Sequence, residues 1–324
     1  MTTPTKVSVG KPTITRIPLL CTGIAWNNIA YYKANHSGVR NFYSGPSEVE
    51  MMNVQLSTTG CYLKSLCDSI ACAVSEVIQD MVGSPDSGLI VQMGADGTPT
   101  KDIDKAAENA VLSQLKLSGA SFRVLSEEIG EVLIGDEPEY FIYLDPLDGT
   151  FNAIRGIPFY SVSLYICKDE FQFGYVCDLA RSTKYYAEAG RGAYIDPGND
   201  RTAVSKTADF KDFSISAYTI RPKTSRIVGI GNKVRRIRTL GSTSLEMAMV
   251  ASGKLDAFVD LRGMLRVVDV AAGKLILEES GGTITDAAGK ELHLNRDMWQ
   301  KTDLIGSNGL LHREILKLIG GGRH

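Results

Sequence analysis

Residues 140–152 read YFIYLDPLDGTFN, and this stretch decides the fold. The apolar run Tyr140–Leu144 predicts a buried strand, because short runs of aromatic and β-branched residues are typical of strands. Asp145 and Asp148 follow the run directly, with a Gly-Thr pair after them. Carboxylates clustered at the end of a buried strand are costly unless cations or hydrogen bonds compensate their charge. The stretch therefore predicts a strand that ends in a charged functional site.

Acidic residues recur at the ends of two other predicted elements. Glu127 follows the predicted strand Arg123–Leu125, and Asp269 opens a helix predicted over Val270–Glu279. Hard oxygen ligands in this number suit Mg²⁺ or Mn²⁺ and do not suit zinc. The backbone N–H groups of the Gly-Thr pair are placed to face an anion. Each piece alone also fits a solvated strand end, a helix cap or a turn, but together and in this order they favour a metal-and-phosphate site.

The composition excludes several classes of protein. The chain has 324 residues, with 35 basic and 37 acidic side chains and a net charge of −2, so it lacks the basic field of a nucleic-acid-binding protein. Its longest apolar runs are far too short to span a bilayer. The six cysteines contain no C-x-x-C pair, which argues against a disulfide scaffold or a zinc site. We therefore expect a cytoplasmic protein with no nucleic-acid partner and no membrane partner.

The chain divides into three parts by its residue patterns. Residues 1–50 keep no apolar period, which predicts a flexible leader outside the native fold, and Met51-Met52 offers an alternative translation start. Residues 51–195 are expected to form an α+β half that carries the metal-binding motifs. Residues 196–324 are expected to form an α/β half that carries substrate-binding residues and the last metal ligand.

Periodicity predicts two helices followed by mostly antiparallel strands in the first half, and alternating strands and helices in the second. The apolar stripe of the first helix is Leu63, Leu66, Ile70, Ala73, Val77 and Met81, and the second helix is Asp102–Lys116. The further strands of the first half are Phe159–Cys167, Phe171–Leu179 and Lys184–Ala189. The second half is predicted to contain the strands Phe213–Thr219, Arg236–Leu240, Leu255–Asp260 and Asp303–Ser307, and the helices Ser244–Ala251, Val270–Glu279 and Leu311–Leu318.

Three ordered motifs resemble those of the inositol monophosphatase superfamily. Asp145–Asn152, followed by Gly156–Pro158, resembles its first signature. Val268–Gly273, followed by Glu279–Gly282, resembles its second, and Leu125–Gly130 resembles the metal-ligand motif of the family. Three motifs in the right order make a chance similarity very improbable.

Within this superfamily the chain is most similar to archaeal-type enzymes that act as fructose-1,6-bisphosphatase and inositol-1-phosphatase. The closer similarity rests on Arg238–Gly241, Leu245–Met247 and Arg266–Asp269. It implies a layered α-β-α-β-α sandwich of the α/β (α+β) class. It also implies Mg²⁺-dependent hydrolysis of phosphomonoesters, with Mn²⁺ as a substitute for Mg²⁺. We further expect a homodimer that acts on a small-molecule sugar or inositol phosphate.

The resemblance assigns a role to each motif residue. The implied metal ligands are Glu127, Asp145, Asp148, Asp269 and the Leu147 carbonyl. The implied contacts to the substrate phosphate are Asp148, Gly149 and Thr150. Asp104 and Thr150 would position the attacking water, and Glu127 would take part in catalysis through the metal. A metal lowers the pKa of its bound water, so no side-chain nucleophile is needed.

Arg238, Arg262 and Tyr218 are candidates for contacts to the rest of the substrate. Enzymes dedicated to inositol phosphates carry a Glu at the position of Arg262, and an arginine suits a second phosphate better. This departure favours fructose-1,6-bisphosphate, hydrolysed at the 1-position. Strand alternation puts Arg236 and Arg238 on one side, where one of them is placed to reach the distal phosphate. A purely structural pairing of Arg262 with a carboxylate such as Asp260 is the alternative.

Other functions also fit parts of the pattern. A dedicated inositol-phosphate phosphatase and a nucleotide phosphatase of the 3′-phosphoadenosine type belong to the same superfamily. A catalytically inactive sugar-phosphate-binding protein is the alternative from another class, but the complete carboxylate set argues against it. An aspartyl-phosphate mechanism needs the motif D-x-D-x-T, and Asp102-Ile103-Asp104 lacks its threonine.

Overall fold

The structure is a computed structural model that describes residues 56–320 except 96, 222, 223, 293 and 295–299. The described residues form one compact unit. The predicted leader, residues 1–50, lies outside the described residues. The predicted boundary between residues 195 and 196 falls inside a strand, Gly192–Asp196, and the division into three parts remains a prediction.

A large sheet of eight strands follows a short two-stranded ribbon. The ribbon strands are β1 (Ile90–Met93) and β2 (Pro99–Lys101). The sheet strands are β3 (Phe122–Ser126), β4 (Gly130–Ile134), β5 (Tyr140–Asp148), β6 (Ser161–Lys168), β7 (Phe171–Asp178), β8 (Thr183–Glu188), β9 (Gly192–Asp196) and β10 (Asp200–Arg201). Their order is β10-β9-β8-β7-β6-β5-β3-β4. Of these pairs only β3 and β5 run parallel, so the carboxyl ends of these two strands lie side by side.

A smaller sheet of five strands forms the second part of the unit. Its strands are β11 (Ser214–Tyr218), β12 (Arg236–Arg238), β13 (Ala257–Leu265), β14 (Thr283–Thr285) and β15 (Thr302–Ser307), in the order β12-β11-β13-β15-β14. The pairs β11–β12 and β11–β13 are parallel. β13 is longer than predicted, because an irregularity between Asp260 and Leu265 carries the strand past its expected end. This irregular segment contains Arg262.

Helices cover both sheets in layers. They are α1 (Thr58–Ile78), α2 (Asp102–Leu117), α3 (Thr150–Ile154), α4 (Ser225–Gly231), α5 (Thr243–Ala251), α6 (Val267–Glu279) and α7 (His312–Gly320). One core joins α1 and α2 to the large sheet, a second joins both sheets to α5 and α6, and a third joins the small sheet to α4 and α7. The predicted α-β-α-β-α sandwich is confirmed. None of the described helices is long and apolar enough to cross a membrane.

The first helix shows how far periodicity predicts burial. Its N-cap is Ser57, whose hydroxyl accepts the backbone N–H of Gly60 at 3.0 Å. The predicted stripe is correct in the first half of the helix and wrong near its end, where Val74 is fully buried and Val77 is 41% exposed. The predicted stripe takes a step of three from Ile70 to Ala73, whereas the buried residues continue in steps of four to Val74 and Ile78.

The short β1–β2 ribbon was missed by the sequence analysis. Ile90, Val91 and Met93 are exposed, so this segment lacks the alternation of buried and exposed residues that marks a strand. Its position matters for the site, because β2 leads directly into α2.

Candidate active site

An acidic cavity lies where the carboxyl ends of β3 and β5 meet the first turn of α6. Glu127 follows β3, Asp145 lies in β5, and Asp269 lies in α6. One carboxylate oxygen from each of the three lies within 4.8 Å of the others. They line a cavity of about 280 Å³, which we call the acidic cavity. The parallel pairing of β3 with β5 brings the first two acids together, since it aligns the ends of both strands.

The helix that carries Asp269 begins earlier than predicted. α6 starts at Val267, so Asp269 is its third residue and does not open the helix. Its Oδ2 accepts the backbone N–H of Arg266 at 2.7 Å, which satisfies an N–H group at the helix start. The sequence prediction placed the helix start too late because it did not recognise this capping contact.

Arg266 places a positive charge inside the acidic cavity. Its Nη2 lies 3.0 Å from Asp269 Oδ1 and 2.5 Å from Glu127 Oε1. The sequence analysis gave Arg266 no role, although its spacing of three residues from Asp269 on a helix was a usable signal. One guanidinium thus compensates two of the three carboxylates.

Burial makes Asp145 and Glu127 hard to ionise. It raises the pKa of Asp145 well above the usual range, and the nearby Glu127, Asp148 and Asp269 raise that pKa further. Burial also raises the pKa of Glu127, against the lowering effect of Arg266. A hard divalent cation favours the ionised form of such groups and prefers oxygen donors. The donor set of this cavity, which consists of carboxylate and carbonyl oxygens, therefore fits a hard divalent cation.

Asp148 lines the same cavity but is held by a segment of the other half of the chain. Its Oδ2 accepts hydrogen bonds from the Ser242 hydroxyl at 2.8 Å and from the Ser244 backbone at 2.7 Å and hydroxyl at 2.6 Å. The Thr243 backbone N–H lies 3.2 Å from Oδ1. Burial raises the pKa of Asp148, whereas the bonds from Ser244 and Ser242 lower it. These bonds fix the carboxylate at the cavity, and the sequence analysis did not foresee them.

Gly149 allows the chain to turn sharply between β5 and α3. Its φ is +100°, a conformation that side chains other than glycine rarely adopt. A Cβ atom here would also lie 3.1 Å from the backbone oxygens of Gly241 and Phe159. The residue must therefore be glycine, and the turn leaves the backbone of Gly149 and Thr150 on the wall of the acidic cavity.

Asp104 and Thr150 lie far apart in sequence and meet in the structure. Thr150 Oγ1 lies 2.7 Å from Asp104 Oδ1, to which it donates, and 3.1 Å from the Leu147 carbonyl oxygen. Burial raises the pKa of Asp104 to about 7, with a further contribution from Glu128, and the bond from Thr150 opposes this. A carboxylate with a pKa near neutrality is suited to accept a proton at physiological pH.

Arg262 and Tyr218 line the acidic cavity, and their contact with the substrate stays a prediction. The guanidinium of Arg262 lies over the Tyr218 ring, 4.6 Å from its centroid. It also binds the fully buried Asp260, with Nε 3.1 Å from Oδ1 and Nη2 2.5 Å from Oδ2. The pairing with Asp260 that was considered as the alternative is thus present. It positions Arg262 at the edge of the cavity.

Arg238 lies outside the acidic cavity. Its side chain is exposed on β12 and lines a different cavity together with Arg236. The prediction that strand alternation places both arginines on one side agrees with the structure. Arg238 is not among the residues that line the acidic cavity, and its contact with the substrate stays a prediction.

A family model described as the inositol monophosphatase family matches residues 61–321. The chain belongs to this family. It is 38% identical over 273 residues to the fructose-1,6-bisphosphatase/inositol-1-monophosphatase of Methanothermobacter thermautotrophicus, a match that covers 80% of the chain and 96% of that enzyme. It is 37% identical over 274 residues to a bifunctional NADP phosphatase/NAD kinase of Methanococcus maripaludis, covering 78% of the chain and 48% of that protein.

Solved structures of this family have the same fold. A Pyrococcus horikoshii protein with similarities to inositol-1 monophosphatase has a TM-score of 0.70 and 32% identity, over 82% of this chain and 99% of that one. An inositol monophosphatase–fructose 1,6-bisphosphatase has a TM-score of 0.71 and 30% identity, over 79% and 98% of the two chains. The predicted superfamily and its archaeal-type similarity are confirmed, and the chain is a phosphatase of this superfamily.

A buried glutamate, Glu246, holds residues of the acidic cavity in place. Glu246 is fully buried and accepts hydrogen bonds from the Ser216 hydroxyl, the Tyr218 hydroxyl at 2.6 Å and the Leu240 backbone N–H at 3.0 Å. Tyr218 in turn accepts the Gly241 N–H. Glu246 therefore fixes the ring on which Arg262 lies and the backbone that packs against Gly149. The sequence analysis included Glu246 in the motif Leu245–Met247 but assigned it no role.

Proposed function

We propose that this phosphatase is a Mg²⁺-dependent enzyme that hydrolyses fructose-1,6-bisphosphate at the 1-phosphate and accepts inositol-1-phosphate as well. The observation that carries the proposal is the juxtaposition of three carboxylates with the Gly149 turn and the Asp104–Thr150 contact. The three carboxylates fit a metal, the Gly149 turn fits a phosphate, and the Asp104–Thr150 contact fits the activation of a water.

Glu127, Asp145 and Asp269 would hold the metal, together with Asp148 and the Leu147 carbonyl. Mg²⁺, or Mn²⁺ in its place, supplies positive charge to the phosphoryl oxygens and lowers the pKa of a bound water. The bonds from Ser242, Thr243 and Ser244 hold the Asp148 carboxylate in place on the wall of the cavity. This arrangement of the ligands before binding lowers the entropy lost when a metal is bound.

Asp104 and Thr150 would handle the proton of the attacking water. Thr150 donates its hydroxyl proton to Asp104 Oδ1, which leaves the lone pairs of Oγ1 free to accept a hydrogen bond from water. The buried Asp104 gains a proton readily near neutral pH. The pair would therefore orient the water and hold the proton that it releases.

Arg262 supports a bisphosphate as substrate. Its guanidinium is fixed by Asp260 on one edge and by the Tyr218 ring on one face, and a third of its side chain remains exposed at the acidic cavity. A fixed planar guanidinium binds phosphate oxygens well, because little side-chain entropy is lost. We therefore propose that Arg262 contacts the second phosphate of the substrate.

A nucleotide phosphatase is the second candidate function. The observation in its favour is the similarity to the bifunctional NADP phosphatase/NAD kinase. The matched region spans about half of that protein's length. Arg262 would then contact the remaining phosphates of the dinucleotide, and the metal-binding residues would act in the same way.

A substrate panel separates these candidates. Phosphate release with Mg²⁺ would be measured for fructose-1,6-bisphosphate, inositol-1-phosphate, NADP and 3′-phosphoadenosine 5′-phosphate. We expect the highest kcat/KM for fructose-1,6-bisphosphate, with inositol-1-phosphate slower or comparable. The Asp145→Asn protein, purified identically, controls for contaminating phosphatases. A higher kcat/KM for NADP would replace the first candidate with the second.

We also propose that the enzyme is a cytoplasmic homodimer. Sedimentation equilibrium of the full chain tests the oligomeric state, and a monomer at micromolar concentration would contradict it.

A further inference from the structure

Glu108, a buried acid of α2, contacts the turn that carries Glu127. Its side chain is fully buried, and it neither lines the acidic cavity nor belongs to the group of three carboxylates there. The other fully buried residues of this helix are apolar: Ile103, Ala107, Val111 and Leu115. A carboxylate withdrawn from water needs compensating hydrogen bonds. The partners of Glu108 therefore show which part of the structure it holds in place.

One oxygen of Glu108 bridges the two sides of the turn between β3 and β4. Oε1 accepts the Ser126 hydroxyl at 2.7 Å and the Ile129 backbone N–H at 2.9 Å. Ser126 is the last residue of β3, and Ile129 directly precedes β4. Glu127 lies between these two anchored residues, and its own N–H donates to the Leu144 carbonyl of β5 at 3.2 Å. The backbone on both sides of Glu127 is therefore fixed by contacts to neighbouring elements.

The same helix carries Asp104, which lies one turn before Glu108. Residues four apart lie on the same face of a helix, so both carboxylates point from α2 toward the same side. Asp104 accepts the Thr150 hydroxyl at 2.7 Å, and Glu108 accepts the two bonds from the turn that carries Glu127. One helical face thus connects the Asp104–Thr150 pair with the turn that presents Glu127 to the acidic cavity.

We propose that Glu108 is a positioning residue, which holds Glu127 in the orientation that binds the metal and fixes its placement relative to Asp104. The proposal rests on the role of Glu127 as a metal ligand, which is part of the function proposed above. Groups that contact a metal ligand from behind orient it, and their loss weakens metal binding by about 10- to 100-fold. A purely structural role would stabilise the fold and leave metal affinity unchanged.

Glu108→Gln separates the two hydrogen bonds from the charge. The amide oxygen of glutamine can accept both bonds that Oε1 accepts. Its NH₂ group would replace Oε2, which lies 3.2 Å from the Nζ atom of Lys105. Lys105 is partly exposed, so its ammonium group can turn toward water. We therefore expect Glu108→Gln to keep the turn in place.

Two other variants remove the bonds. Glu108→Leu deprives the Ser126 hydroxyl and the Ile129 N–H of their shared acceptor. Ser126→Ala removes only the hydroxyl bond, and this smaller change keeps the test valid if Glu108→Leu does not fold.

Asp256→Leu is the matched control for Glu108→Leu. Asp256 is also buried, and it also accepts one hydroxyl, from Ser205 at 2.5 Å, and one backbone N–H, from Ser214 at 2.6 Å. It does not line the acidic cavity. Its loss should lower Tm as the loss of Glu108 does, but it should leave metal affinity unchanged.

Titration of the full chain with Mn²⁺, followed by the electron paramagnetic resonance signal of the free ion, tests the proposal. We expect Glu108→Leu to raise the Kd for Mn²⁺ by about tenfold or more, while Glu108→Gln and Asp256→Leu stay within about twofold of wild type. Ser126→Ala, which loses one hydrogen bond, should raise the Kd about threefold. Glu127→Gln gives the reference for the loss of the ligand itself.

The variants distinguish failure of the positioning role from failure of the metal site. A wild-type Kd in both Glu108→Leu and Ser126→Ala, with weaker binding in Glu127→Gln, would overturn the positioning role alone. Equal rises in Kd for Glu108→Gln and Glu108→Leu would assign the effect to the charge and also overturn it, as would an equal rise in Asp256→Leu. No Mn²⁺ binding in wild type, or binding that Glu127→Gln leaves unchanged, would overturn the proposed ligand and the positioning role together.

Discussion

The acidic cavity and a second cavity of about 690 Å³ differ in charge and in structural support. We call the second one the basic cavity, because its charged lining residues are Arg181, Arg236, Arg238, Lys254 and Asp178. Glu127, Asp145 and Asp269 come from the ends of buried elements and lie close enough to repel one another. Arg236 and Arg238 come from an exposed edge strand, where water stabilises their charge. In the first cavity, burial disfavours the ionised carboxylates, and a bound cation would offset this. In the second cavity, the arginine charges stay exposed to water and attract anions. Activity should therefore depend steeply on the acids of the first cavity and weakly on the charges of the second.

The steepest test exchanges one acid in each cavity. Asp145→Asn removes a metal ligand and should lower kcat by about 1,000-fold or more, since several kcal/mol of transition-state stabilisation are lost with the metal. Asp178→Asn in the basic cavity is the matched control and should change kcat less than about twofold, because it leaves the metal-binding acids intact. Steady-state phosphate release measures both. Similar losses in the two variants would mean that the cavities do not have separate roles.

Asp104→Asn should have the next largest effect. An amide cannot accept the proton of the attacking water, so we expect kcat to fall about 100-fold, within the range of general-base catalysis. The pKa of Asp104 lies at about 7, so the carboxylate is protonated below this pH and activity should rise through it. The variant should lose this limb of the kcat–pH profile.

Asp102→Asn is the control for Asp104→Asn. Asp102 lies in the same helical turn, is exposed and should leave both kcat and the pH profile unchanged. A profile for Asp104→Asn that keeps the same rising limb would assign that limb to another group.

Arg266→Gln tests the acidic cavity further. Among the described residues, Arg266 is the one cation that forms ion pairs with Glu127 and Asp269. Without metal, Glu127 and Asp269 lose their partner, and we expect the free energy of unfolding to fall by about 2–3 kcal/mol. Saturating Mg²⁺ should restore most of this loss, so the rise in Tm caused by Mg²⁺ should be larger in the variant.

Arg123→Gln is the control for Arg266→Gln. The Arg123–Glu131 pair is exposed, so its loss should cost less than about 1 kcal/mol with or without Mg²⁺. An equal Mg²⁺-induced rise in Tm for wild type and Arg266→Gln would show that Arg266 does not share its carboxylates with the metal.

Arg262→Gln should have the smallest effect on activity. The loss of one charge-assisted contact should raise KM for fructose-1,6-bisphosphate about tenfold and leave KM for inositol-1-phosphate nearly unchanged. Equal losses in kcat/KM for both substrates would mean that Arg262 serves only to neutralise the buried Asp260.

The strand that ends in Asp145 was predictable from sequence, because its apolar run and its acidic end are contiguous. The layered fold and the set of acids followed from such local patterns and from the family resemblance. Arg266, Ser242 and Ser244 were not predicted, because their contacts to Asp269 and Asp148 depend on where a helix begins and on two distant segments meeting. Local patterns report the residues of a site better than they report the partners of those residues.

The cavity that Arg238 lines was not predicted, for a related reason. Alternation correctly put Arg236 and Arg238 on one side of a strand, but it does not say which cavity that side faces. The answer depends on the order of strands in the small sheet, where β12 is at the edge. Sheet order is a property of the whole chain.

A thermal titration with Mg²⁺ at pH 6 and pH 8 is the most direct test of whether the acidic cavity binds a divalent cation. The raised pKa values of Asp145 and Glu127 mean that the folded protein without metal loses stability as pH rises above the ordinary carboxylate range. Mg²⁺ binds the ionised acids, so we predict that it raises Tm at both values of pH and more at pH 8, corresponding to about 2.7 kcal/mol at 100 times its Kd. The Asp145→Asn protein should show little of this rise. An equal rise in wild type and Asp145→Asn, or no rise in wild type while phosphate release persists in EDTA, would contradict the claim.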